Sequence, residues 1–150
     1  MARSKSYREL IAWQKAMKLA KAAYRISNEL PRKEAYGLIS QVQRAAVSVP
    51  CNIAEGHGRL TDLQFRHFLG NARGSLCELQ TQVELAFDLD YISTETLREF
   101  MDKASEVARL INGLIASLRE LRSQAKKILT PLTARSAANT ASSAKKEPYQ

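Results

Sequence analysis

Residues 42–56 read VQRAAVSVPCNIAEG, and this stretch decides the fold. Val42, Ala45, Ala46, Val49 and Ile53 recur at the three- and four-residue spacing that puts side chains on one face of an α-helix. Pro50 falls inside that pattern. A proline there lacks the N–H that would bond the Ala46 carbonyl, and its ring crowds that carbonyl, so a kinked helix is expected over residues 34–55. Gly56, His57 and Gly58 end it.

Working outward, three further segments carry the same helical period, and no stretch of alternating polar and apolar residues competes with them. Ser6-Tyr7-Arg8-Glu9 has the form of a capping box opening a first helix that ends near Asn28, ahead of Leu30-Pro31. Its core side is read as Leu10, Trp13, Met17, Ala20 and Tyr24. Thr61-Asp62-Leu63-Gln64 opens a third helix that reaches Asp88 through Phe65, Phe68, Leu69, Ala72, Leu76, Leu79, Val83 and Phe87. Leu89-Asp90-Tyr91-Ile92 is a turn, and Ser93 caps a fourth helix that reaches at least Leu121. One fold accommodates this: an all-α, antiparallel, up-down-up-down four-helix bundle over residues 1–129. Residues 130–150, TPLTARSAANTASSAKKEPYQ, hold few large apolar side chains and are read as a flexible basic tail.

The fourth helix carries two overlapping heptad seams. One runs through Leu97, Met101, Ala104, Ala108, Ile111, Ile115 and Leu118, the other through Phe100, Ala104, Val107, Ile111, Leu114, Leu118 and Leu121. A bundle core needs one seam, so the surplus points to a homo-oligomer.

The chain has 23 Lys and Arg against 15 Asp and Glu, a net charge of +8 that favours an anionic partner. Residues 1–29 concentrate seven of the cations against Glu9 and Glu29. At 100° per residue Arg8, Lys15, Lys18, Lys21 and Arg25 share an arc of about 140°, a basic stripe suited to nucleic-acid phosphates, with Lys145 and Lys146 of the tail assisting. No aromatic-plus-basic surface motif like that of an RRM and no recognition-helix pattern is legible, so binding to RNA or DNA should be backbone-directed and weakly sequence-specific.

A second stripe is polar without net charge. Arg44, Ser48, Asn52, Glu55 and Arg59 lie along one side of the second helix, and Gln64, His67, Asn71, Ser75 and Glu78 along one flank of the third. Folding the two helices into a hairpin about Gly58 brings level Arg44 with Glu78, Ser48 with Ser75, Asn52 with Asn71, Glu55 with His67, and Arg59 with Gln64. The expectation is a structural polar network fixing register, with a buried Arg44–Glu78 pair.

Catalysis would need convergent titratable groups, and Glu55, His57 and His67 are the candidates. They match no metalloprotease, nucleophile-elbow or phosphate-loop motif, so no enzyme, no metal and no cofactor is expected. Cys51 and Cys77 lack ligand or redox spacing and are read as buried reduced thiols. MARSKSYREL continues into no apolar run, and no stretch of about 20 apolar residues follows, which implies a cytoplasmic protein without membrane partners.

Several of these stretches resemble a known family: LIAWQKA at residues 10–16, Tyr36-Gly37-Leu38, RAAVSVPCNIAEG at 44–56, Phe68-Leu69, GSLCEL at 74–79 and Leu89-Asp90-Tyr91-Ile92. The family is that of bacterial four-helix-bundle proteins first noted as products of intervening sequences inside 23S rRNA genes. The resemblance covers about residues 7–122, and Cys51 stands where small residues are usual. It implies helices assembled as a ring-like pentamer. It also implies kinship with accessory proteins of diversity-generating retroelements, which bind nucleic acid and a reverse transcriptase. An interaction scaffold for another protein, without nucleic acid, is the alternative function.

Overall fold

A computed structural model describes the backbone of residues 3–143 and the side chains of residues 3–129. The chain divides into two units, Met1–Ile115 and Ala116–Gln150.

In the first unit side chains satisfy free backbone N–H groups at several helix starts, while α1 itself follows directly from a short turn with no side-chain cap at Leu10. Ser6 accepts from the Arg8 amide and opens a 3₁₀ turn over Tyr7–Glu9, after which α1 spans Ile11–Glu29. The box expected at Ser6 is thus half formed, because the Glu9 carboxylate accepts from the Lys5 amide instead. Pro31 leads into a second 3₁₀ turn, Arg32–Glu34, so α2 starts later than residue 34 and spans Leu38–His57. Glu34 still serves this start: one carboxylate oxygen accepts from the Leu38 amide at 3.2 Å and the other from the Tyr91 hydroxyl at 3.1 Å. Pro50 is buried within continuous helix. Thr61 accepts from the Gln64 amide and caps α3, Asp62–Asp88. Asp90 turns the chain with a positive φ of 62°, a conformation short polar side chains tolerate, and Ser93 accepts from the Thr96 amide at the head of α4.

Helix α4 spans Thr94–Ser143. It passes residue 129, where composition placed the start of a flexible tail. The helix continues there through Pro131 and a run of Ser, Thr and Asn that favour helix poorly, with Ala134, Ala137, Ala138 and Ala141 as its strong helix formers. Lys145 and Lys146 lie outside the described residues. In the second unit every residue from Arg119 to Leu129 is exposed.

Within the first unit α2 packs against both α1 and α3, whose backbones stay farther from each other than either is from α2. Lys15 of α1 meets Glu106 of α4, and Gln80 of α3 meets Met101 of α4. The helices therefore follow one another around an up-down-up-down bundle, as expected. Ala12, Ala16, Leu19, Ala23 and Ile26 supply the α1 part of the core. Val42, Ala45, Ala46, Val49 and Ile53 face them from α2, and Phe65, Leu69, Ala72, Leu76, Leu79 and Val83 from α3. From α4 the seam beginning at Phe100 is the buried one, with Ala104, Val107 and Ile111. Leu97, Met101, Ala108 and Ile115 of the other seam are half-buried.

The first helix corrects the sequence reading. Its core side is the row of alanines with Leu19 and Ile26, whereas Met17 and Tyr24 are exposed and Trp13 is half-buried. Small side chains let α1 approach its neighbours closely, and the bulky row is left at the edge of the α1–α2 seam.

At the α2–α3 turn the segment ahead of α1 is tied down. Arg3 donates to the Arg59 carbonyl at 2.6 Å, pairs with Asp62 and lies 5.1 Å from the Phe65 ring, while the Ser4 hydroxyl meets His57 Nε2 at 3.0 Å. No helix of the described residues is long and apolar enough to cross a membrane.

Candidate nucleic-acid interface

The basic stripe is narrower than helical arithmetic suggests. Arg8 lies in the 3₁₀ turn before α1, its guanidinium 4.8 Å from the Tyr7 ring. Lys15 swings toward α4 and pairs with Glu106 at 3.0 Å. Lys18, Lys21 and Arg25 remain: all three are exposed, and none forms an ion pair among the described residues. Their charge is therefore uncompensated at short range.

Beside them lies a feature that sequence reasoning missed. A groove of about 670 Å³ runs between α1 and α2, with Tyr7, Trp13, Met17 and Tyr24 on one wall and Val47, Pro50 and Cys51 on the other. Lys21 and Arg25 also line it. Tyr7 and Trp13 meet edge to face with centroids 5.2 Å apart. Aromatic and basic side chains thus share one helical surface, an arrangement different from the RRM-type motif that the sequence lacks. The signal was available: α1 carries two apolar rows, and one helix in a small bundle buries only one.

The polar stripe is partly assembled. The Ser48 and Ser75 hydroxyls lie 2.8 Å apart, the level predicted from the hairpin, and Asn52 Nδ2 donates to the Ser48 carbonyl and hydroxyl. Glu55 near the end of α2 pairs with Arg59 in the turn that follows, and the Arg59 guanidinium lies 4.7 Å from the Phe68 ring. The buried Arg44–Glu78 pair does not form. Both residues are exposed, and Glu78 accepts from Gln82 of its own helix. Asn71 is exposed and makes no bond to Asn52. The hairpin sets the two stripes level, but only side chains near the helix contact line meet, and these lie outside it. Glu78→Ala is accordingly expected to change the unfolding free energy by less than about 0.5 kcal/mol, measured by urea denaturation. A loss of several kcal/mol would show that Glu78 has a buried partner in the assembled protein.

Each of the three candidate acid–base residues has a close neighbour. Glu55 is engaged with Arg59, His57 with Ser4 and the Phe65 ring, and His67 is exposed against Phe68. Among the described residues no three His, Cys, Asp or Glu could hold a metal ion together. Cys51 and Cys77 are exposed, not buried as expected, because each follows a residue that takes the inward position, Pro50 and Leu76.

The family comparison agrees with the motif reading. The sequence model described as 23S rRNA-intervening sequence protein matches residues 8–113. A solved structure from Bacteroides thetaiotaomicron VPI-5482, described as a protein with unknown function from the S23 ribosomal protein family, superposes with a TM-score of 0.66. The match has 20% identity and covers 70% of this chain and 98% of the other, a likeness of fold. No curated protein matches the sequence.

Proposed function

The chain belongs to the family of 23S rRNA-intervening sequence proteins, and from that premise we propose that it is a non-catalytic, homo-oligomeric, cytoplasmic protein that binds nucleic acid through α1 with little sequence specificity. The observation that carries this reading is the set of three exposed cations without ion-pair partners among the described residues, Lys18, Lys21 and Arg25, on one face of one helix. Phosphates are the ligands such a surface fits, since releasing their counterions supplies the driving force and no base edge need be read.

Assembly rests on apolar side chains the bundle leaves in solvent, notably Leu60 at 96% exposure and Leu63, Leu85 and Leu89 along α3 and its flanking turns. A ring of copies would repeat the basic face and raise avidity without strong contacts in any one copy. The pentamer is the number implied by the family resemblance. A protein of this kind would serve as accessory to an enzyme that works on nucleic acid, such as a reverse transcriptase.

The test is a salt titration of wild type and the Lys18→Glu, Lys21→Glu double variant, with the mass of each followed by light scattering. Wild-type affinity is expected to fall with a log–log slope of about −0.9 per phosphate contact on duplex DNA and about −0.7 on single strands. The double variant is expected to bind about tenfold or more weakly to every sequence alike, at the same multiple of the 16.8 kDa protomer. Unchanged binding would reject α1 as the surface. No binding at low salt would leave the protein-scaffold reading in its place, and a concentration-independent monomer would overturn the assembly.

A further inference from the structure

The groove beside the three cations carries the inference furthest. Its α1 wall is aromatic, its α2 wall is formed by Val47, Pro50 and Cys51, and its charged lining is Lys21 and Arg25. Tyr24 is 44% exposed and Met17 41%, so these side chains contribute little to the core and much to the wall. An apolar trough edged by cations is complementary to a ligand that is apolar on its faces and anionic along its connecting chain. A nucleobase attached to its phosphates is such a ligand. The groove volume, about 670 Å³, is in the range of sites that take compact ligands, unlike the broad faces at which proteins pair. Because the groove is open to solvent, it suits a flat heterocycle whose edges stay hydrated better than an alkyl chain, which gains most from enclosure.

We infer that the α1–α2 groove is a stacking site for unpaired nucleobases, so that the protein prefers single-stranded nucleic acid, with the bases against Trp13 and Tyr24 and the phosphates on Lys18, Lys21 and Arg25. This rests on the nucleic-acid reading above and adds to it a class of strand and a second kind of contact. In duplex DNA the base faces are stacked on one another and unavailable to the groove. Phosphate contacts alone give no such preference, whereas aromatic stacking does and remains tolerant of sequence.

Trp13 is the chain's one tryptophan, so its emission reports directly on the groove. The experiment titrates the full chain with a short oligodeoxythymidylate, an abasic strand of equal length and phosphate number, and a duplex, reading both affinity and Trp13 emission. The oligodeoxythymidylate is expected to quench Trp13 and to bind more tightly than the abasic strand. Tyr24→Ala is expected to weaken the oligodeoxythymidylate by about fivefold or more while leaving the abasic strand unchanged, and Tyr24→Phe to restore it. Equal binding of the two strands, with Trp13 emission unmoved, would overturn base stacking while leaving phosphate binding on α1 intact. Failure of all three probes to bind would overturn both readings. Trp13 emission that shifts with protein concentration alone, together with a changed mass for Tyr24→Ala, would assign the groove to a second copy of the chain and overturn the inference.

Discussion

Gly56→Val is expected to lower the unfolding free energy by about 3 kcal/mol, and even Gly56→Ala by about 1–2 kcal/mol, although alanine is the better helix former. A Cβ built at Gly56 would lie 2.7 Å from Phe68 Cβ, 2.9 Å from Phe65 Cδ2 and 3.2 Å from the Phe65 carbonyl oxygen. Phe68 Cβ and the carbonyl cannot swing aside as the end of a long side chain can, so α2 and α3 must separate near their turn. The helical preference of alanine over glycine, about 1 kcal/mol, works against this but is smaller than the overpacking cost. Gly70, Gly74 and Gly113 provide the control, since a Cβ at each meets nothing within 4 Å. There alanine is expected to stabilise by up to about 1 kcal/mol. Urea unfolding followed by circular dichroism separates the two classes. A Gly56→Ala protein as stable as Gly70→Ala would disprove the close crossing.

Phe100→Ala is expected to cost about 3–5 kcal/mol, a large share of the about 5–15 kcal/mol that holds a domain of this size folded. Phe100 is 2% exposed and is among the largest fully buried side chains. Truncation removes its transfer free energy and leaves a cavity that Ala104 and Ile26, fixed on their own helices, fill poorly. Trp13→Ala supplies the contrast. Trp13 is larger, yet it is half-buried at the groove and should cost less in the same unfolding measurement. If Trp13→Ala proved the more damaging, the groove would belong to the core and its reading as a surface would fail.

Fold class and helix order were legible because caps and periodicity act locally: Thr61, Ser93 and the Gly56–Gly58 break mark boundaries through backbone groups only a few residues away. The hairpin arithmetic also found the level of Ser48 and Ser75. What failed was the choice between two apolar rows on α1. Reading by bulk selects Trp13, Met17 and Tyr24, whereas close packing of neighbouring helices selects Ala12, Ala16 and Ala23. The same misreading hid the groove, since a residue assigned to the core cannot be a candidate for a site. Spacing along one helix likewise could not show that Lys15 has an acid within reach on α4. That pairing depends on tertiary approach.

Cys51 and Cys77 lie on different helices, and both are exposed residues with free thiols. Two accessible thiols make each molecule divalent toward oxidation. A single reactive cysteine stops at one cross-link, whereas a divalent unit can join a neighbour at either position and continue as a chain. An added two-electron oxidant such as a disulfide reagent, which takes up the electrons and protons of each thiol pair, would therefore link this protein into a covalent ladder instead of a discrete pair, at a rate that rises with how closely copies are already gathered.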